Sequence, residues 1–318
     1  MPFLFGSDLM RAIFMGNPEF ALPTLKALLS SSRHDVVAVV SNPPKPIGRG
    51  RKLRSTAVGQ FAKENNLNLI ETESLKYAEL HDQLSALKPD VFVVVAYRIL
   101  PKSLIDLPKY GAVNLHASLL PKYRGAGPIQ WSLMNGDKTT GVTVFQINPW
   151  VDRGEILLQK EMDIFPDDDM LSLGMRLCNA GANLIVDALD RLENGTIHSW
   201  PQNNDLAIPA PKITMEMTVI NWTWPAEKIH NWIRGLSPRP GMSTTLNGKN
   251  FRIYKTKVLD MENGRSGEIK KIKNDEMVVS TGKGALSLME VQAEGKRKMP
   301  IGDFLHGAVI QVGDRLGE

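Results

Sequence analysis

Asn114 and His116 stand two residues apart in the run Ala112-Val113-Asn114-Leu115-His116, whose residue types suit a β-strand. Alternate strand residues share a face, so the carboxamide and the imidazole would project together. An amide N–H beside an imidazole suits the negative oxygen that develops when a carbonyl carbon is attacked. Imidazole titrates near neutrality and could equally accept a proton or donate one. A third group follows in Asn148-Pro149-Trp150-Val151-Asp152-Arg153-Gly154. Asp152 could orient His116, hold a proton-relaying water, or take the proton that an attacking amine loses. Each group also has a plainer reading: a satisfied core histidine with an asparagine turn cap, and an Asx turn before Gly154. Spacing alone leaves both open.

What surrounds these groups narrows the chemistry. No Ser or Cys sits in a nucleophile elbow, so direct transfer between two bound substrates is expected rather than a covalent acyl-enzyme. The single cysteine, Cys178, falls in a helical pattern over residues 171–191 and reads as a buried structural thiol. One cysteine excludes an intramolecular disulfide framework and fits a reducing cytosol. The six histidines (His34, His81, His116, His198, His230 and His306) are scattered without ligand spacing, so no metal is expected.

The elements that must position the trio follow an α/β rhythm. Ala12–Met15, Val36–Val40, Val91–Val95, Ala112–His116 and Val142–Phe145 read as strands, with helical spacing over Phe20–Leu29 and near Tyr77–Leu87. Continuous β-branched runs such as Val91-Phe92-Val93-Val94-Val95 are those of strands covered on both faces. A Rossmann-like, mostly parallel sheet with right-handed crossovers is therefore expected over residues 10–194. Its first turn, Met15-Gly16-Asn17-Pro18-Glu19-Phe20, lacks the G-x-G-x-x-G that a dinucleotide needs, and Glu19 would repel phosphate. A ligand should still sit at the carboxyl ends of the strands. Turn formers from Asn194-Gly195 to Pro211 mark a linker, 195–212. A helical segment at Ala226–Gly235 follows, then short runs at Phe251–Val258, Gly267–Ile272, Glu276–Ser280 and Ala285–Val291, which predict a small β-barrel or sandwich within 213–318.

The 318 residues, 42% hydrophobic and 23% charged, exclude disordered and fibrous classes. No stretch approaches the ~18 apolar residues of a membrane span. Residues 1–9 read as a short extension, since they carry neither the basic start nor the long apolar core of a signal peptide. The net charge of +4 is unevenly placed: residues 213–318 hold 16 basic against 12 acidic side chains, and residues 1–212 hold 22 of each. A polyanionic partner or simple solubility would each account for that excess. Lys45, Arg49, Arg51, Lys52 and Arg54 put five cations in ten residues, with Gly48 and Gly50 between them. Such a loop can follow phosphates and order itself on binding, or can simply be solvated.

The run Asn114-Leu115-His116-Ala117-Ser118-Leu119-Leu120-Pro121-Lys122-Tyr123-Arg124-Gly125-Ala126-Gly127-Pro128-Ile129 resembles the signature of the folate-dependent formyltransferases, and Asp152 falls at that family's third catalytic position. Phe14–Ala21, Pro46–Lys52, Ala210–Ile213 and Ile220–Trp222 extend the likeness over about residues 10–310 and narrow it to the branch that formylates initiator methionyl-tRNA. The resemblance implies that Asn114, His116 and Asp152 are catalytic and that Ser118, Leu119, Leu120 and Pro121 contact the folate. It implies 10-formyltetrahydrofolate as co-substrate and formyl donor, with no metal. It also implies that Arg49, Arg51 and Lys52 lie in a tRNA-contacting loop, with Arg49 the main acceptor-stem contact, and that an OB-like C-terminal barrel binds tRNA. A monomer in the bacterial cytoplasm is expected. Two departures border the expected pteridine pocket. The stretch Ala96–Pro101 is one residue short and carries Arg98 in place of a glycine-containing pair. The approach to Asp152 lacks its usual acidic-Gly-Leu, and Arg153 replaces a usual threonine. Relatives acting on amino sugars, purine precursors or water would share the trio without needing the basic loop.

Overall fold

The computed structural model describes residues 9–47, 51–261 and 264–318. Its first part runs β1 (Met10–Gly16), α1 (Leu22–Leu29), β2 (His34–Ser41), the short pair β3 (Lys45–Ile47) and β4 (Lys52–Arg54), α2 (Ala57–Glu64), β5 (Leu69–Glu71), α3 (Ala78–Ala86), β6 (Val91–Val95), α4 (Lys102–Ile105) and β7 (Ala112–His116). It continues through β8 (Arg124–Gly125), α5 (Pro128–Met134), β9 (Thr139–Gln146), β10 (Ile156–Asp163), α6 (Met170–Glu193) and β11 (Pro209–Ala210). The main sheet has the order β10-β9-β7-β6-β1-β2-β5. Strands β1, β2, β5, β6 and β7 run parallel, and β7 meets β9 antiparallel. The mostly parallel sheet read from the patterning is thus observed.

Its cause is legible in β6, whose five residues are all buried. Ile13, Met15, Val40, Phe92 and Val94 pack one side with Leu80 and Leu84. Strand order grows from β1 to β2 and β5, then reverses to place β6 and β7 on the other side of β1. Open sheets bind ligands at the carboxyl ends near such a reversal. Asn17, in the first turn, is spent on structure: its Oδ1 accepts from Ser41 Oγ at 3.1 Å and from the Asn42 N–H at 2.9 Å. Helix α6 lies close to β7 through Gly181, where a Cβ would come within 2.5 Å of Leu115 Cδ2.

Several short elements were not legible as patterns. Helix α2 has eight residues and is started by Thr56, whose Oγ1 accepts from the Gly59 N–H. Strand β10 carries Gln159-Lys160-Glu161 in its exposed half, and an edge strand needs only one buried end. The basic loop rests on a hairpin, with Lys45 opposite Arg54 and Pro46 opposite Leu53. Arg49, with Gly48 and Gly50, lies outside the described residues, as do residues 1–8 of the expected extension. Among the described residues no helix is long and apolar enough to cross a membrane.

The chain forms two compact units. One gathers the residues up to Gly125 with Thr140–Met162 and Gly174–Pro209; the other gathers Ala126–Thr139, Asp163–Leu173 and Ala210–Glu318. Residues 126–139 and 163–173, drawn with the catalytic domain in the sequence reading, cluster with the C-terminal part. There α7 (Ala226–Gly235) packs beside β12 (Met242–Leu246), β13 (Lys249–Leu259), β14 (Ile269–Lys273), β15 (Glu276–Ser280), β16 (Ala285–Ala293), β17 (Met299–Pro300) and α8 (Ile301–Leu305). The antiparallel order β12-β13-β16-β15-β14 leaves two edges, and residues 315–316 bridge both, at Glu268 and at Leu246. Closure of this kind makes the expected small barrel and removes open edges. Asn247 and Gly248, both with positive φ, make the tight β12–β13 turn.

Candidate active site

Strand β7 carries Asn114 and His116 at its carboxyl end, opposite Phe145 and Thr143 of β9. Asn114 is half-buried, and its carboxamide has no hydrogen-bond partner among the described residues. The His116 side chain is 9% exposed, and its Nε2 lies 2.8 Å from the Tyr123 carbonyl oxygen. A carbonyl can only accept, so Nε2 carries a proton and donates it. Tyr123 is left-handed, with φ +62°, at the turn that brings this carbonyl to the ring. The other nitrogen, Nδ1, faces Asp152 Oδ2 at 3.8 Å. That gap is too long for a direct hydrogen bond.

Asp152 is fixed by a backbone N–H 27 residues away and by a side-chain amide 50 residues away. Its Oδ2 accepts the Gly125 N–H at 2.8 Å, and its carbonyl accepts Gln202 Nε2 at 3.0 Å. The same Gln202 amide reaches the Gly154 carbonyl at 2.8 Å, while its Oε1 accepts Arg124 Nε and Nη2 at 3.0 and 2.7 Å. Asp152 has φ +53°, a conformation that a short polar side chain tolerates better than most. Two residues on, Gly154 is buried against β9, where a Cβ would stand 1.5 Å from the Gln146 carbonyl oxygen. Position 154 therefore admits glycine alone in this backbone. The structure thus brings His116 and Asp152 together, places Asn114 two residues before His116 on the same strand, and adds Tyr123, Gly125 and Gln202. Those three act through contacts too distant along the chain to be read from local spacing.

The segment Ser118–Pro121 follows β7 directly. Ser118 is fully buried, and its Oγ donates to the Lys122 carbonyl at 2.6 Å. Thr143 Oγ1 donates to the Ser118 carbonyl and accepts from the Leu120 N–H, while Gln159 Nε2 donates to the Leu120 carbonyl. Ser118 and Leu120 therefore set the loop's shape, and Leu119 and Pro121 are its half-buried members. The Leu120–Pro121 bond is cis. On the other border, Arg98 donates to the Glu73 and Thr72 carbonyls and to the Tyr97 hydroxyl at 2.6 Å. Its guanidinium carbon lies 5.0 Å from the Tyr97 ring centroid. Burial pushes the Tyr97 hydroxyl's pKa up, and Arg98 pulls it back. The residue that departs from the common pattern thus braces the loop end. Arg51 and Lys52 are exposed on the basic hairpin, with Arg51 at φ +47°.

The chain matches the N-terminal formyl transferase domain over residues 10–189 and the C-terminal formyl transferase domain over residues 212–309. It is 41% identical over 306 residues to the methionyl-tRNA formyltransferase of Geobacter metallireducens, covering 96% of this chain and 98% of that one. With the methionyl-tRNA formyltransferase of Caldanaerobacter subterraneus the identity is 43% over 307 residues, covering 96% and 99%. Among solved structures, HypX from Aquifex aeolicus in complex with tetrahydrofolic acid shares the fold at 17% identity and a TM-score of 0.66, over 96% of this chain and 50% of that one. A Helicobacter canadensis N-formyltransferase bound to folinic acid and dTDP-3-aminofucose does so at 20% and 0.66, over 92% of this chain and all of that one. With both domains matched over residues 10–189 and 212–309, the chain belongs to the formyl transferase family.

Proposed function

We propose that this chain transfers the formyl group of 10-formyltetrahydrofolate to the free amino group of initiator methionyl-tRNA, with Asn114, His116 and Asp152 doing the chemistry. The observation that carries the assignment of the trio is the locked imidazole: Tyr123 holds Nε2 as a donor, and Nδ1 faces Asp152 across 3.8 Å. That leaves Nδ1 as the working nitrogen. It takes the proton released when the amine bonds to the formyl carbon, and the Asp152 carboxylate faces the resulting imidazolium. Asn114 turns an N–H toward the oxygen that becomes negative. As the carbon–N10 bond breaks, the proton on Nδ1 passes to N10. Formyl-amine and tetrahydrofolate are released, and the trio regains its starting protonation.

Ser118–Pro121 is assigned to the folate. The segment fits a flat, largely apolar co-substrate as a shaped wall, because its polar groups are already spent on Lys122, Thr143 and Gln159. Arg49, Arg51 and Lys52 are assigned to acceptor-stem phosphates, and residues 213–318 to tRNA binding beyond the 195–212 linker, which fits their basic excess. The protein works as a monomer in the bacterial cytoplasm. One assay tests the acceptor and the trio together. Formyl transfer is followed from 10-formyltetrahydrofolate to charged initiator tRNA, to amino sugars, or to water. Transfer goes to the tRNA, and Asn114→Ala and His116→Ala each lower kcat by about 10²-fold or more while tRNA still binds. Turnover near wild type in either variant would remove that residue from the mechanism.

A further inference from the structure

A cleft of about 440 Å³ opens beside the Asp152 loop, lined by Arg124, Gly125, Trp150, Val151, Arg153 and residues 207–209. It adjoins the chemistry directly. Gly125, in its wall, donates its N–H to Asp152 Oδ2, and Arg153 is the next residue in the chain. Nothing in the catalytic trio explains its contents. Trp150 stands 69% exposed and Val151 51% exposed. Large apolar side chains presented to water beside a catalytic carboxylate are where a ligand is expected. Two arginines line the same cleft as Trp150. Arg124 is held by the neutral carboxamide of Gln202, so its charge is not cancelled there. Arg153 is exposed, and its side chain has no acceptor among the described residues.

We propose that this cleft holds the 3′-terminal nucleotide of the aminoacylated acceptor: the base stacks on Trp150, and Arg153 and Arg124 take the adjoining phosphate. The proposal rests on tRNA being the acceptor. Its chemistry is that of single-strand readers, in which cations track the backbone and an aromatic face receives a base without regard to pairing. The position is also right. An aminoacyl group is esterified to that terminal ribose, so seating the nucleotide beside Gly125 delivers the amine to the Asp152 side of His116. Gln202 is the positioning residue, since one carboxamide ties Arg124 to the carbonyls of Asp152 and Gly154.

The test compares the full-length wild type with Trp150→Leu, Trp150→Phe and Arg153→Ala. Steady-state formylation of initiator methionyl-tRNA is measured, with the trinucleotide CCA as competitor. Leu keeps apolar bulk without a stacking face, and Phe keeps the face. Trp150→Leu and Arg153→Ala should raise the KM for methionyl-tRNA by about 5- to 100-fold with kcat and the KM for 10-formyltetrahydrofolate unchanged. Trp150→Phe should stay within a few-fold of wild type, and CCA should inhibit wild type but not Trp150→Leu. An unchanged tRNA KM in Trp150→Leu overturns the assignment, and so does a change confined to the folate KM, which would place the folate in the cleft. Should wild type fail to formylate methionyl-tRNA while formylating another amine, the acceptor reading itself falls, an outcome visible before any variant is compared.

Discussion

Replacing Gly154 by alanine tests whether the backbone of the Asp152 loop, rather than its side chains, sets the site. The added Cβ would stand 1.5 Å from the Gln146 carbonyl oxygen, where real Cβ contacts essentially never fall below 3.0 Å. The obstacle is the end of β9, whose Gln146 N–H is itself bonded to the Glu155 carbonyl at 2.9 Å. The two segments must therefore separate by at least the missing 1.5 Å. Asp152 lies two residues away and depends on a 2.8 Å bond from Gly125, which does not survive a displacement of that size. Misplacing a catalytic group by about 1 Å can lower turnover ~10²-fold, so Gly154→Ala should lower kcat by at least that factor. Single-turnover formyl transfer reads the chemical step, and a thermal melt shows how far the fold holds. Gly307→Ala is the control, because a Cβ there meets nothing within 4 Å. If Gly154→Ala kept kcat within about threefold of wild type while Gly307→Ala behaved normally, the claim that this backbone approach positions Asp152 would be refuted.

Two more outcomes follow from buried groups. Gly181→Ala should lower the melting stability by about 1–3 kcal/mol and reduce kcat, because the new Cβ meets three atoms of Leu115, which sits between Asn114 and His116; calorimetry showing an unchanged Tm would contradict the close packing of α6 on β7. His34 is pushed below its ordinary pKa of 6.5, chiefly by burial and against the pull of Asp190. A depressed folded pKa means that stability is present above 6.5 and is lost as pH falls from there through the folded value. Urea unfolding should show wild type losing more stability than His34→Gln between about pH 8 and 5.5, and a pH-independent difference between the two would rule this out.

Much of this geometry could be read from residue types, and the part that could not has a common cause. Val91–Val95 announced a strand buried on both faces because such a strand has no polar side to alternate with. Asn114 and His116 were placed on one face by the two-residue period alone, and Asp152 by its position after the next strand. Periodicity could not supply what holds them. The Tyr123 carbonyl is a main-chain group available at any residue type. Gln202 sits in a stretch of turn formers, 50 residues from the carbonyl it bonds. Ser118 shows another limit: a hydroxyl's residue type does not reveal that it bonds the Lys122 carbonyl four residues on. The short elements α2, α5 and β12 were not read from their patterns.

These two kinds of position divide the labour inside one nine-residue loop. Between Gln146 and Ile156 the chain meets fixed partners through main-chain atoms at Asp152, Gly154 and Glu155 and through the Asp152 carboxylate. Trp150, Val151 and Arg153 extend their side chains into solvent from the same loop. The carboxylate is thus held independently of what its neighbours present. Side chains at 150, 151 and 153 can change what the cleft receives without moving Asp152, whereas a single methyl group at 154 cannot be added without moving it. A loop built this way separates a carboxylate fixed by main-chain and side-chain hydrogen bonds from exposed side chains that are free to vary. That separation is why the departures from the common pattern at Trp150 and Arg153 are compatible with an intact trio.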